Sequence, residues 1–268
     1  MVIASPIGIV AEHTRSIDLA RKIADAGVRV LLHLPRRVAL PDRIQRVERV
    51  ATPTDIAFEC GVVLASIRNS DAFKALFVGT PERAGLGADM QPGSILVDLA
   101  VRRPRELQAL LGLLGTRGIA LADAAVVRTE AVDPGSAPDT VLVGGFPDAV
   151  DQITGVLGLI GPVTMTGRLG SAHTTAAVEA YATLAKRAAA AEIDALARAL
   201  GVPVATAAFA DCQSNDVEDE LELHHRFEIA QRMAQDHGLD PRTVAHFEGV
   251  GLHSVLQTPT VERRYLLP

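Results

Sequence analysis

The sequence predicts a doubly wound α/β domain with a mostly parallel sheet, then a long helix, then a mainly helical C-terminal part. Three observations carry this. Apolar runs of strand length alternate with amphipathic stretches over about the first 165 residues. Ser171 to Leu200 then runs thirty residues without Gly or Pro, dense in Ala, the strongest helix former. Beyond Gly201 the strand alternation stops.

Each element has a local reason. Ile7–Val10 is an apolar strand, with Pro6 keeping its regular part from starting earlier. Ile17–Ala26 is an amphipathic helix with Ser16 as N-cap and Gly27 as its stop. Val28–Leu34 is almost continuously apolar, as a strand covered on both faces must be. Pro53–Cys60 reads as a short helix, Gly61–Ile67 as a strand, Asp71–Phe77 as a helix and Ile95–Leu99 as a strand. Pro104 suits the first turn of a helix reaching about Arg117. Ile119–Ala122 and Thr140–Val143 are strands, and Pro147 opens a helix to about Leu159. In the long helix, Val178, Tyr181, Leu184, Ala188 and Ala191 recur at helical spacing, and Gly201 ends it. At about 1.5 Å per residue it is about 45 Å long, the length of a spine between domains. Leu221–His237 is a second amphipathic helix, and Val244–Leu256 is expected to add another.

Composition narrows the function. A hydrophobic fraction of 48% supports a large core, and no apolar run approaches a membrane span. A net charge of −6 with scattered basic residues argues against nucleic acid as partner. Cys60 and Cys212 are too few for a disulfide framework, and no H-x-x-x-H or H-E-x-x-H spacing supports a metal site. The start lacks a basic region followed by a long apolar segment, so a soluble, cytoplasmic protein is expected.

IGIV at the first strand, DLARKIADAG at the first helix and PGSILVDLA before Pro104 stand in a fixed order with ALADAAV, DTVLVGG and GPVTMTGRLG. On these landmarks the chain resembles the β-hydroxyacid dehydrogenases, including the related imine reductases and 6-phosphogluconate-dehydrogenase-like proteins. The resemblance covers about residues 5–200. It implies a Rossmann-like domain over 1–168, an interdomain helix over 169–201 and a helical dimerisation domain over 202–268. It further implies a homodimer in which the helical domain of one subunit completes the cleft of the other.

The chemical positions depart from that pattern. A dinucleotide loop uses glycines for the tight turn, for approach of the pyrophosphate and for helix packing. Those positions hold Ala11, His13 and Ser16, and the His13 imidazole is expected to stand where pyrophosphate would lie. The helix start still offers N–H groups to an anion, so His13, Thr14 and Ser16 would meet the phosphates if NADP were bound. Arg36 and Arg37, after the second strand, would then pair with a 2′-phosphate, although two arginines there also suit a solvated turn. The positions of the family's catalytic lysine and its following asparagine hold Ala176 and Glu179. Val127, Arg128 and Thr129 replace the substrate loop, and a second lysine maps to His225.

The leading expectation is therefore a biosynthetic enzyme that has lost redox chemistry, needs no cofactor, and cyclises, dehydrates or isomerises a small molecule by acid–base catalysis. Glu179, His173, His225 and Asp123 are its catalytic candidates, and Arg128, Tyr181 and His224 its substrate-binding ones. His173 and Glu179 lie about 240° apart around the helix and would act separately. The alternatives are an NADPH-dependent reductase of C=N or C=O bonds, with NADP(H) as cofactor, and a non-catalytic ligand-binding or partner subunit.

Overall fold

The computed structural model describes residues 5–35, 37–39, 44–128, 139–201 and 217–239. Its strands and helices run in the order β1 (Ile7–Ala11), α1 (Arg15–Asp25), β2 (Val30–His33), β3 (Val47–Arg49), α2 (Pro53–Glu59), β4 (Val62–Ser66) and α3 (Ser70–Phe77). After a small hairpin of β5 (Gly79–Thr80) and β6 (Arg83–Ala84) come β7 (Ile95–Asp98), α4 (Pro104–Gly115), β8 (Ala120–Arg128), β9 (Asp139–Gly145), α5 (Pro147–Leu157) and β10 (Val163–Gly167). The helices α6 (Ser171–Leu200) and α7 (Val217–Asp236) complete the described elements. The chain divides into two compact units, Met1–Ala177 and Val178–Pro268.

In the first unit the main sheet has the order β10-β9-β8-β7-β4-β1-β2-β3. Its pairings are parallel except β8 with β9. The winding starts at β1 and runs outward through β2 and β3, then returns to the other side of β1 at β4. Apolar residues on both faces of the strands drive this. Ile7, Ile9 and Ala11 pack with Ile17, Ala20 and Ile23 of α1 and Ile153 and Val156 of α5. Val10, Val63 and Leu96 face the opposite way, onto Ile56 of α2, Phe73 and Phe77 of α3 and Leu107 of α4. This is a sheet sandwiched between helices, the doubly wound class that the alternation predicts.

The second unit is described only through the remainder of α6 and α7. The Tyr181 ring stacks on Phe227 at 5.5 Å between centroids. The Arg187 guanidinium donates to both carboxylate oxygens of Glu220, at 2.9 and 3.1 Å.

Several elements differ from expectation. β8 runs on to Arg128 and pairs antiparallel with β9, because Ala124, Ala125 and Val126 are all buried and extend the strand. β3, the β5–β6 hairpin and β10 were not anticipated. They are short or polar, and the exposed Thr164 and Met165 of β10 carry no apolar alternation. Thr14, not Ser16, takes the N-cap position of α1, and its side chain makes no capping bond. The helix expected over Val244–Leu256 lies outside the described residues.

Gly8 shows how closely the helices pack on the sheet. A Cβ added there would stand 2.2 Å from Ile56 Cγ2 and 3.2 Å from Cys60 Sγ. Ile56 is β-branched, wholly buried and unable to swing aside. Gly8→Ala is expected to lower the unfolding free energy by about 1–3 kcal/mol, the usual cost of overpacking a dense core. Urea denaturation of the two proteins reads this directly, and an unchanged midpoint would show that α2 moves freely.

Candidate functional site

In an open parallel sheet, ligands bind outside the carboxyl ends of the strands, where the winding reverses. Here that point lies between β1 and β4. The loop from Ala11 to Thr14 leaves β1 and enters α1, whose first turn is not capped by a side chain. A helix start presents free N–H groups and about half a positive charge, a ready seat for an anion.

The glycine positions of this loop are filled inward. His13 is buried, and its Nε2 hydrogen-bonds Ser66 Oγ at the end of β4, 2.8 Å away. The ring thus links the loop after β1 to the end of β4, across the reversal between the two strands. Ser16 is also buried, and its hydroxyl has no hydrogen-bond partner among the described residues. Thr14 is exposed. From the same loop, Glu12 Oε1 accepts a hydrogen bond from the backbone N–H of Arg68, at 2.8 Å.

Beside this crevice lies a buried polar network that the sequence reading missed. Asp98, Arg102, Asp123 and His173 have no exposed surface. Arg102 Nε donates to Asp98 Oδ2 at 2.6 Å, and its Nη atoms donate to the carbonyls of Ile67 and Arg68 and to Ser70 Oγ. Its guanidinium also lies 4.2 Å from the centroid of the Phe73 ring. The Asp98 and Asp123 positions are paired neighbours on β7 and β8. Asp123 accepts from the backbone N–H groups of Gly170 and His173, at 2.7 and 2.9 Å, and so anchors the start of α6. Arg102 was visible only as one of two adjacent arginines, and Asp98 only as the polar end of an apolar run.

His173 sits at the centre of this network. Its Nδ1 accepts from the Arg102 backbone N–H at 3.1 Å, and its Nε2 faces the carbonyls of Asp98 and Ala124, at 3.0 and 3.2 Å. Carbonyls only accept, so the proton is on Nε2 and the ring is neutral. Both nitrogens are engaged by backbone. The geometry gives His173 and Asp123 the work of holding chain segments together, with no surface open to a substrate.

The other candidates are not brought to these residues within the first unit. Glu179 is exposed on α6, and Tyr181 is half-buried against Phe227. On α7, His224 Nδ1 donates to the Glu220 carbonyl at 2.8 Å, and His225 is half-buried. All four belong to the second unit. Arg128 closes β8 opposite Asp139. Arg37 is exposed after β2, and Arg36 lies outside the described residues. Ala176, at the family's lysine position, is buried. Burial pushes the Cys60 thiol up to about 12, so it remains protonated at neutral pH. Among the described residues no cluster of three His, Cys, Asp or Glu could hold a metal, and no helix is long and apolar enough to cross a membrane.

A doubly wound sheet with an anion-seating helix start at its reversal defines a dinucleotide-binding class of domain. The family model for the NAD binding domain of 6-phosphogluconate dehydrogenase matches residues 17–170, more than half of the chain, and the chain belongs to that family. The match begins one residue after the loop whose glycines are replaced. Among solved structures, Mycobacterium tuberculosis 3-hydroxyisobutyrate dehydrogenase with L-serine superposes with a TM-score of 0.75, at 14% identity and over 94% of each chain. The 3-hydroxyisobutyrate dehydrogenase of Salmonella typhimurium gives 0.69 at 18% identity, over 94% of this chain and 95% of that one. An imine reductase from Myxococcus stipitatus in complex with NADP+ gives 0.59 at 16% identity, over 86% and 78%. At these identities the likeness speaks for the fold.

These findings correct the leading expectation. The matched family binds NAD, and the neighbours are dehydrogenases and an imine reductase, so neither a cofactor-independent cyclase, dehydratase or isomerase nor a protein without a cofactor is supported. The replaced glycine and lysine positions do not by themselves exclude a coenzyme, because a helix start can hold a diphosphate through its backbone N–H groups. Thr14 makes no side-chain capping bond at the start of α1, so the helix start is where a dinucleotide's diphosphate would be held.

Two substitutions test this geometry. Arg102→Ala leaves the buried Asp98 carboxylate without its counter-charge, and is expected to cost about 3–5 kcal/mol of stability. A loss below about 1 kcal/mol in urea denaturation would mean that the pair is replaced by water at little cost. Ser16→Ala has the opposite sign. Removing a buried hydroxyl without a partner and placing Ala in a helix is expected to raise stability by about 1 kcal/mol. A drop in stability would reveal a bond from Ser16 that the geometry does not contain.

Proposed function

We propose that this chain is an NADP(H)-dependent oxidoreductase that interconverts a C=O or C=N bond of a small molecule with its reduced form. The observation that carries the reading is the match of residues 17–170 to a NAD-binding family. The uncapped start of α1 beside the β1–β4 reversal supports it physically. When bound, the nicotinamide supplies or accepts the hydride. The first turn of α1 seats the diphosphate. Arg37 is exposed beyond β2, and residues 33–39 contain no carboxylate to take a ribose hydroxyl, so a 2′-phosphate is favoured there.

The proton that accompanies the hydride is assigned to Glu179. Ala176 carries no proton, whereas Glu179 is exposed three residues further along the same helix. A homodimer in which the second unit completes the site belongs to the same reading, as does a cytoplasmic setting.

Titration with NADPH and NADH, followed by fluorescence, is expected to show binding of both, with NADPH the tighter. Turnover is then read as absorbance change at the nicotinamide band, using a panel of small 3-hydroxy acids and cyclic imines. Glu179→Gln is expected to lower kcat at least about tenfold while leaving NADPH affinity unchanged. No binding of either coenzyme at about 1 mM, weaker than the usual range for such sites, would overturn the proposal.

A further inference from the structure

The crevice between β1 and β4 is spanned by the protein's own side chains. The loop after β1 reaches across twice, through His13 to Ser66 Oγ and through Glu12 to the backbone N–H of Arg68, each at 2.8 Å. The second contact has the chemistry of the ligand expected there. A backbone N–H at the carboxyl edge of a parallel sheet is the kind of donor that a diphosphate oxygen takes. Glu12 brings to it an oxygen acceptor carrying negative charge, directly before the start of α1. Glu12 is half-buried, so this charge is poorly screened.

We propose that Glu12 is an internal anion that competes with the coenzyme's diphosphate, and that it sets how tightly the coenzyme binds. The inference rests on the coenzyme reading above. Before the diphosphate settles against α1, it must share the Arg68 N–H with the carboxylate or displace it. It must also approach a like charge. The loop therefore weakens affinity through a side chain, although its backbone still follows the course that leads into α1. His13 holds the same loop down on Ser66 and keeps Glu12 directed at residue 68.

Glu12→Gln keeps the side chain's shape and an acceptor oxygen but removes the charge. Glu12→Ala removes both. Two probes are titrated against the full-length protein and each variant, NADPH and ADP-ribose, the second carrying the diphosphate without the nicotinamide. Both variants are expected to bind both probes on the order of tenfold more tightly at low ionic strength, as relief of a close like-charge contact predicts. The gain should shrink at high salt. Destabilisation alone would not produce such a gain of affinity, so a merely structural role for Glu12 is distinguished. Tighter binding by the variants supports the inference, including the case in which only the variants bind measurably. Equal or weaker binding by both variants, with NADPH still bound by the unmodified protein, overturns it and leaves the coenzyme reading standing. No binding of NADPH, NADH or ADP-ribose by any of the three proteins overturns both.

Discussion

Burying four polar or charged side chains beside the interior strands of a sheet is tolerable only if they are paired, and that constraint organises the first unit of this protein. Unpaired, the Asp98 carboxylate and the Arg102 guanidinium would each cost several kcal/mol. Together, with Asp123 and His173, they join β7, β8, the segment after β4 and the start of α6. The tolerance is small. A Cβ on Gly144 of β9 would lie 2.7 Å from Asp123 Oδ1 and 2.8 Å from the Arg168 carbonyl, so the strand must carry glycine where the α6 anchor passes. The network specifies register and loop course. It leaves no surface from which chemistry could be done.

That division of labour separates the crevice loop from the parts that hold the sheet together. The strands and helices are set by apolar packing on both sheet faces and by this network. The residues between Ala11 and Ser16 therefore contribute mainly to what binds. Glycines are needed in such a loop for room. Here room is treated differently: His13 bonds Ser66, Ser16 is buried in the first turn of α1, and Glu12 reaches to the backbone of Arg68. The family match over residues 17–170 and the altered loop before it therefore stand side by side in one chain.

The scaffold was legible because its signals are local and repeated. Alternating apolar runs, Pro at helix starts and a thirty-residue helix without Gly or Pro act over short distances and need no knowledge of neighbours. What escaped were β3, the β5–β6 hairpin and β10, which owe their strand form to the partners that pair with them. The role of Arg102 is invisible in the sequence because its acceptors, the Ile67 and Arg68 carbonyls and Ser70, are more than thirty residues away. Nothing in the sequence around His173 reveals that both its ring nitrogens are held by backbone.

From the order of residues alone follow the doubly wound class and the long helix, since composition and periodicity are properties of the chain itself, while the changes at the glycine and lysine positions follow from the family resemblance. Where the changed side chains point was decided by tertiary structure. His13 reads as an obstacle to a phosphate when only its volume is known, and as a strut once Ser66, fifty-three positions later, is brought within hydrogen-bonding distance. Direction depends on partners distant in sequence, and only the folded sheet sets them side by side.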